Sequence, residues 1–142
     1  MPRVSQWLIR AALLQLLSGA ILGAGYLVFK AEGWIPTIVT HLGTHQEEML
    51  VGWMVQLVMG VAYWILPRVA EQAPDESARV MWLVFWLLNV GVLVASLGTD
   101  PLLPSWLLLV GRLAETVAVV LFARHAWYRQ RAYRAGARTV LV

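Results

Sequence analysis

Four long apolar stretches dominate the sequence and leave few structures open to it. They cover approximately residues 7–29, 48–66, 79–98 and 104–127. Each comes close to the roughly 20 residues that an α-helix needs to cross about 30 Å of hydrocarbon. Hydrophobic residues make up 60% of the 142 residues and charged residues only 13%, which is more apolar surface than one small domain can hide from water. The sequence therefore predicts an all-α integral membrane four-helix bundle, folded as a single transmembrane domain.

Positive charges are concentrated on one side of the predicted membrane. If the N-terminus lies inside, that side carries nine of the ten arginines, whereas the outer side carries Lys30 alone. Segments rich in arginine and lysine stay on the cytoplasmic side of a membrane. We therefore expect a multi-pass protein of the cell inner (plasma) membrane with both termini in the cytoplasm. The inner arginines are Arg3, Arg10, Arg68, Arg79, Arg124, Arg129, Arg131, Arg134 and Arg138.

Residues 128–142 form a basic tail directly after the fourth span. A basic segment next to a span fixes orientation and contacts anionic lipid. Membrane lipid is therefore the expected partner of the tail, and nucleic acid is not. The first span is longer than the apolar core of a cleavable signal peptide, so we expect it to remain in the protein.

The absence of cysteine excludes several kinds of site. Thiolate metal sites, iron–sulfur clusters, covalently attached c-type heme and cysteine nucleophiles all require this residue. The sequence also contains no phosphate-binding loop and no arrangement of serine, histidine and acid suited to hydrolysis. We therefore expect no bond-making chemistry of those kinds.

The most specific segment is residues 41–68, HLGTHQEEMLVGWMVQLVMGVAYWILPR. His45 lies near the predicted outer end of the second span. Gly52 and Gly60 are eight residues apart and so lie near one face of the helix. Small residues on that face permit a neighbouring helix, or a flat macrocycle, to approach the backbone closely.

This segment resembles the second transmembrane helix of heme-copper oxidase subunit I and its nitric oxide reductase relatives. In that family a histidine near the outer end ligates the low-spin heme, and a glycine-containing apolar run ends in an aromatic, proline or arginine cluster. The first span also resembles the first helix of the family, and the likeness covers residues 7–68. The similar positions are Arg10, Gln15, Gly19, Gly23 and Gly25 in the first span, and His45, Gly52, Gly60, Tyr63, Pro67 and Arg68 in the second.

The resemblance implies a small membrane subunit that binds a b-type heme through His45 and acts in respiratory electron transfer, as a homodimer or in a larger respiratory membrane complex. The chain lacks the helices that carry the other ligands of the family, so it is not a complete oxidase by itself. His125 lies at the other end of a span, roughly 30 Å away, and cannot share an iron with His45. The second ligand must come from another copy, a partner subunit or His41.

Two other interpretations of the same residues stay open. In the first, His45 caps the second helix or bonds a loop carbonyl, and the protein is a cofactor-free structural or assembly subunit. His41, His45 and Glu48 would share one face of a continuous helix and offer ligands for zinc, iron or copper. Gly43 argues against such a helix, and Glu47 with Glu48 is explained by the dipole of the helix that follows.

Arg112 and Glu115 are ionisable residues inside the fourth span, where lone charges are costly. Their i, i+3 spacing allows an ion pair. They form either a polar pocket for a quinone head group, a heme propionate or a proton path, or a neutralised pair that locks helix packing with help from Gln56 or Asn89. A small transporter or channel that uses this pair is a further alternative.

Overall fold

The computed structural model describes residues 1–33, 38–66 and 74–139, and the side chains of 1–33, 42–66 and 77–131. All regular secondary structure in these ranges is helical. Helix α1 spans Arg3–Ala31, α2 spans Ile38–Glu47, a π-helical segment spans Glu48–Val55, α3 spans Gln56–Ile65, α4 spans Pro74–Leu97 and α5 spans Trp106–Thr139.

Four of the helical stretches are long and apolar enough to cross a membrane, in agreement with the number predicted from the sequence. They are Arg3–Ala31, Leu42–Ile65, Ser77–Leu97 and Trp106–Arg131. The second span is one continuous helix made of α2, the π-helical segment and α3.

The helix boundaries differ most from the sequence prediction at two places. The second helix begins at Ile38 rather than near His45, so the expected break at Gly43 was wrong. A β-carbon at Gly43 would lie 2.8 Å from Thr99 Cγ2, so this glycine permits close contact with the end of α4 instead of interrupting its own helix. At the C-terminus, α5 continues to Thr139, so most of the basic tail extends the fourth helix.

The π-helical segment lies in the middle of the second span and follows Glu47 directly. Hydrogen bonds from residue i to i+5 insert extra residues into each turn and rotate the side chains that follow. Glu47, just before the segment, contacts α5, whereas Gln56, just after it, contacts α1 and α4. The second span therefore presents polar groups to three neighbouring helices.

Helix α4 is the central helix of the bundle. It packs most extensively against α5, and its other side contacts α1 and the second span. The seam with α5 is built on small residues. A β-carbon at Gly98 would overlap the backbone of Leu108, and one at Gly111 would overlap the backbone of Ala95. This close backbone approach is a common way to pack helices in lipid.

Helix α1 lies at the edge of the bundle and packs along the second span. Gly19 of α1 faces the side chain of Met49, and Gly60 of α3 faces Leu8 and Ile9 of α1. The buried hydroxyl of Ser5 also donates to the carbonyl oxygen of Gly60. Small residues on both helices therefore hold α1 in place.

The two ends of the bundle differ in composition. We call the end that holds the start of α1 and the close of α5 the termini end, and the opposite one the far end. The apolar core fills the half nearer the termini end, and polar contacts occupy the middle of the bundle, the far end and the rim of the termini end. The core residues are Val4, Leu8, Met59, Tyr63, Met81, Val84, Phe85, Leu88 and Ala118.

Candidate functional site

His45 lies in the far half of the bundle, between the second span and α1. Its Nδ1 is 2.7 Å from the carbonyl oxygen of Gly19. The ring lies against Gly23, where a β-carbon would be 2.6 Å from Cε1. A carbonyl only accepts hydrogen bonds, so Nδ1 carries a proton, and in the neutral ring Nε2 is the nitrogen with the lone pair. Within the described part of the chain Nε2 has no hydrogen-bond partner.

Gly52 and Gly60 both face α1, so the structure favours the neighbouring helix over the macrocycle at this surface. The side chain of Gln15 fills the space where a β-carbon of residue 52 would lie, and Leu8 and Ile9 do the same at Gly60. No room for a porphyrin remains over this face. Pro67 and Arg68, which complete the family-like pattern, lie outside the described residues.

The donor set at His45 fits a heme only in part. A metal-ligating histidine normally donates one ring N–H to a carbonyl or carboxylate and presents the other nitrogen to the metal, as His45 is arranged to do. The glycine face does not fit a porphyrin, because α1 covers it. A heme bound by His45 would therefore have to lie on the Nε2 side of the ring, away from Gly52 and Gly60.

Arg112 forms a three-member cluster with two buried carboxyl groups. Its Nη1 and Nη2 lie 2.8 and 2.5 Å from the two carboxyl oxygens of Glu47, which is a bidentate ion pair. Nη1 is also 3.2 Å from Glu115 Oε2. Glu47 is 2% exposed and Glu115 is 5% exposed, but 51% of the Arg112 side chain is accessible. The predicted i, i+3 pair is present, with a second carboxylate added to it.

Gln56 and Asn89 take part in a different cluster from the one that the sequence suggested. Gln15 Nε2 donates to Asn89 Oδ1 at 3.0 Å and to Gln56 Oε1 at 3.3 Å, and Gln56 Nε2 also donates to Asn89 Oδ1. These three amides form a polar layer across the middle of the bundle, away from Arg112. They join α1, the second span and α4.

Glu48 faces a separate cavity of about 450 Å³ at the far end, between the second span and α4. Glu48 Oε2 and Ser96 Oγ are buried there without hydrogen-bond partners among the described residues. The side chain of His41 lies outside the described residues, so the proposed His41, His45 and Glu48 metal site stays a prediction. The side chains that are described contain no group of three histidine, aspartate or glutamate ligands arranged for a metal.

A second polar network lies at the termini end. The Ser77 hydroxyl is 3.1 Å from His125 Nε2 and 3.3 Å from the Tyr63 hydroxyl. Arg129 donates to the carbonyl oxygens of Leu66 at 2.7 Å and Tyr63 at 3.3 Å, at the C-terminal end of α3. His125 is therefore at the opposite end of the bundle from His45 and has partners of its own.

The sequence did not identify Glu47 or Arg129 as members of these clusters. Glu47 looked like a first-turn acid that compensates a helix dipole, because its partner is 65 residues away in the chain. Arg129 looked like one more arginine of a basic tail. The sequence does contain one indication that Arg129 belongs to a cluster. It falls on the same helical face as His125, which lies four residues earlier.

The comparisons with known proteins found no relative of this chain. No protein family matches the sequence, and no curated protein or solved structure shows significant similarity to it.

Proposed function

We propose that this protein is a small multi-pass membrane subunit that acts in respiratory electron transfer and holds a b-type heme through His45 Nε2. The observation that supports this proposal is the 2.7 Å contact between His45 Nδ1 and the Gly19 carbonyl oxygen. It orients the imidazole and leaves Nε2 as a free electron-pair donor. A b-type heme supplies reversible one-electron transfer when bound by such a ligand.

The assembly in this proposal is a homodimer or a larger respiratory complex. His125 lies at the other end of the bundle, so within the described residues no second histidine accompanies His45. A two-fold axis along the membrane normal would bring two copies of His45 to the same depth. We place the subunit in the cell inner membrane with both termini in the cytoplasm, as the arginine distribution favours.

Pyridine hemochrome spectra of the purified protein test this function. The protein is expressed with excess heme supply. His45→Ala is compared with His125→Ala, the matched control, which removes the other histidine whose side chain the structure describes. We expect heme in the wild type and in His125→Ala but not in His45→Ala. Absence of heme from the folded wild type, or its retention in His45→Ala, would disprove the proposal.

A quinone is the alternative cofactor, near Arg112 and Glu115. The supporting observation is that the Arg112 side chain is half-exposed inside an apolar span, where its remaining N–H groups can meet a carbonyl oxygen from the lipid phase. Quinone extracted from purified protein would fall in Arg112→Gln and not in His45→Ala. The opposite pattern would exclude this site.

A cofactor-free structural or assembly subunit is the second candidate function. The observation that favours it is the packing of Gly52 and Gly60 directly on α1, which gives both glycines a structural purpose. In this case a well-folded wild-type protein shows neither heme absorption nor bound quinone. His45→Ala then lowers only stability, because it removes a hydrogen bond between two helices.

A further inference from the structure

We infer that Glu47 and Glu115 form a buried proton-binding site, in which the two carboxyl groups share one exchangeable proton beside Arg112. This site is independent of any heme at His45. Its ligand is a proton, and the inference rests on the charges, contacts and burial of three side chains.

The charges of the cluster do not balance when both acids are ionised. Arg112 is the one cation that pairs with either carboxyl group in the described part of the chain. Two carboxylates and one guanidinium leave an uncompensated negative charge within apolar spans. An unpaired charge there is costly, and in such sites the group takes up a proton instead. One shared proton makes the cluster neutral.

The two acids lie side by side on the same guanidinium group. Arg112 Nη1 is 2.8 Å from Glu47 Oε1 and 3.2 Å from Glu115 Oε2. Two carboxylates held this close in a buried site repel each other, and a proton on one of them removes the repulsion. The same arrangement of two acids sharing a proton occurs wherever like charges cannot both ionise at short distance.

The Oε1 oxygen of Glu115 is buried and has no hydrogen-bond partner among the described residues, although Oε2 contacts Arg112. A buried oxygen without a donor costs more free energy in a charged carboxylate than in a neutral carboxyl group. The Glu115 side chain packs on Gly91 of α4, where a β-carbon would be 2.9 Å from Cγ, so the group has little room to move elsewhere.

Infrared spectroscopy of the full-length protein in lipid nanodiscs at neutral pH tests this inference. A protonated carboxyl group has a C=O stretching band that is separate from carboxylate bands and shifts in heavy water. All variants are made in a Glu48→Gln background, because Glu48 also has a buried oxygen without a partner. We expect an acid band that disappears in Glu115→Gln and in Glu47→Gln, since each leaves one acid to balance Arg112.

The opposite change distinguishes proton sharing from simple packing. Arg112→Gln removes the cation, so both acids become protonated and the acid band grows about twofold by the same charge balance. Glu32→Gln, at an exposed position after α1, leaves the band unchanged. A band that is absent from the parent protein, or that responds to neither Glu115→Gln nor Arg112→Gln, overturns the inference.

A chemical label tests the site without relying on the folding of a variant. Dicyclohexylcarbodiimide reacts with protonated carboxyl groups in membranes: the acid O–H adds across one C=N bond, and the acyl group then moves to nitrogen to give a stable N-acylurea. All atoms of the reagent are retained, so mass spectrometry detects its full mass. We expect the label on Glu115 or Glu47 of the wild type. Failure to label either residue contradicts a shared proton.

Discussion

The side-chain amide oxygen of Gln15 occupies the space where a β-carbon of residue 52 would lie. Because Gly52 has no side chain, α1 approaches the second span closely enough for Gln15 to bond Gln56 and Asn89. The glycine and the amide layer are thus two parts of one packing arrangement. This relationship accounts for a glycine at position 52 by helix packing alone.

We expect Gly52→Ala to destabilise the bundle, because the new methyl group must displace Gln15 and break the amide layer. Overpacking of this kind costs about 1–3 kcal/mol. The free energy of unfolding is measured in mixed micelles by titration with dodecyl sulfate. Gly25→Ala is the control, since its β-carbon would meet nothing closer than Phe29 Cε2 at 4.0 Å.

A double variant tests whether Gln15 causes the loss. Gln15→Ala vacates the space beside residue 52, so the combination of both substitutions should cost less than the sum of the two single changes. Strict additivity would mean that Gly52→Ala acts elsewhere, and an unchanged stability in Gly52→Ala would contradict the close contact itself.

The seam between α4 and α5 should tolerate substitution less well than the contact at His45. A β-carbon at Gly111 overlaps the backbone of Ala95, which moves only if the whole helix moves. A β-carbon at Gly23 meets the His45 ring, which can rotate away. We therefore expect Gly111→Ala to lower the unfolding free energy more than Gly23→Ala does, in the same titration. Equal losses would show that α4 and α5 separate easily.

The sequence predicted those features of the fold that depend on local composition. A run of apolar residues long enough to cross a bilayer forms a helix there, because lipid offers no other partner for backbone N–H and C=O groups. The four long apolar helices are therefore evident from the sequence. The shared face of Gly52 and Gly60 was also correct, since their spacing places them on one side of a helix.

The sequence did not predict which residues meet in the polar clusters, because these contacts join helices that are far apart in the chain. Glu47 meets Arg112 across 65 residues of the chain, from a helix that begins at Ile38 and continues as a π-helix after Glu47. One interpretation of the Arg112 pair placed Gln56 or Asn89 beside it, but both residues instead join Gln15 across the middle of the bundle. Neither a π-helical segment nor the order in which helices pack follows from a 3.6-residue period.

Arg129 closes the termini end of the second span, and its removal should loosen that end. The last carbonyl groups of a helix lack partners within the helix, and Arg129 supplies donors to those of Tyr63 and Leu66 while being only 4% exposed. We expect Arg129→Ala to cost about 1–3 kcal/mol and to speed hydrogen exchange at the Leu66 amide, which donates to Ala62.

Arg131→Ala provides the matched control for this change. Arg131 is exposed on the same helix and lies 5.2 Å from the centre of the Trp127 ring. Its loss should leave exchange at Leu66 unaffected, because it touches no carbonyl of α3. Equal effects of the two arginine substitutions would mean that positive charge near the membrane, rather than the hydrogen bonds of Arg129, stabilises this end.

The orientation of the bundle in the membrane can be measured with single cysteines, because the natural sequence contains none. We choose Leu102, which is 90% exposed in the connection between α4 and α5, and Gln130, which is exposed on α5 at the termini end. The arginine distribution predicts that a membrane-impermeant maleimide labels Leu102→Cys on intact cells but labels Gln130→Cys only after permeabilisation. Both variants must react in detergent, which shows that the thiols are present. Labelling of Gln130→Cys alone on intact cells would invert the topology and place the Glu47, Arg112 and Glu115 cluster on the cytoplasmic side.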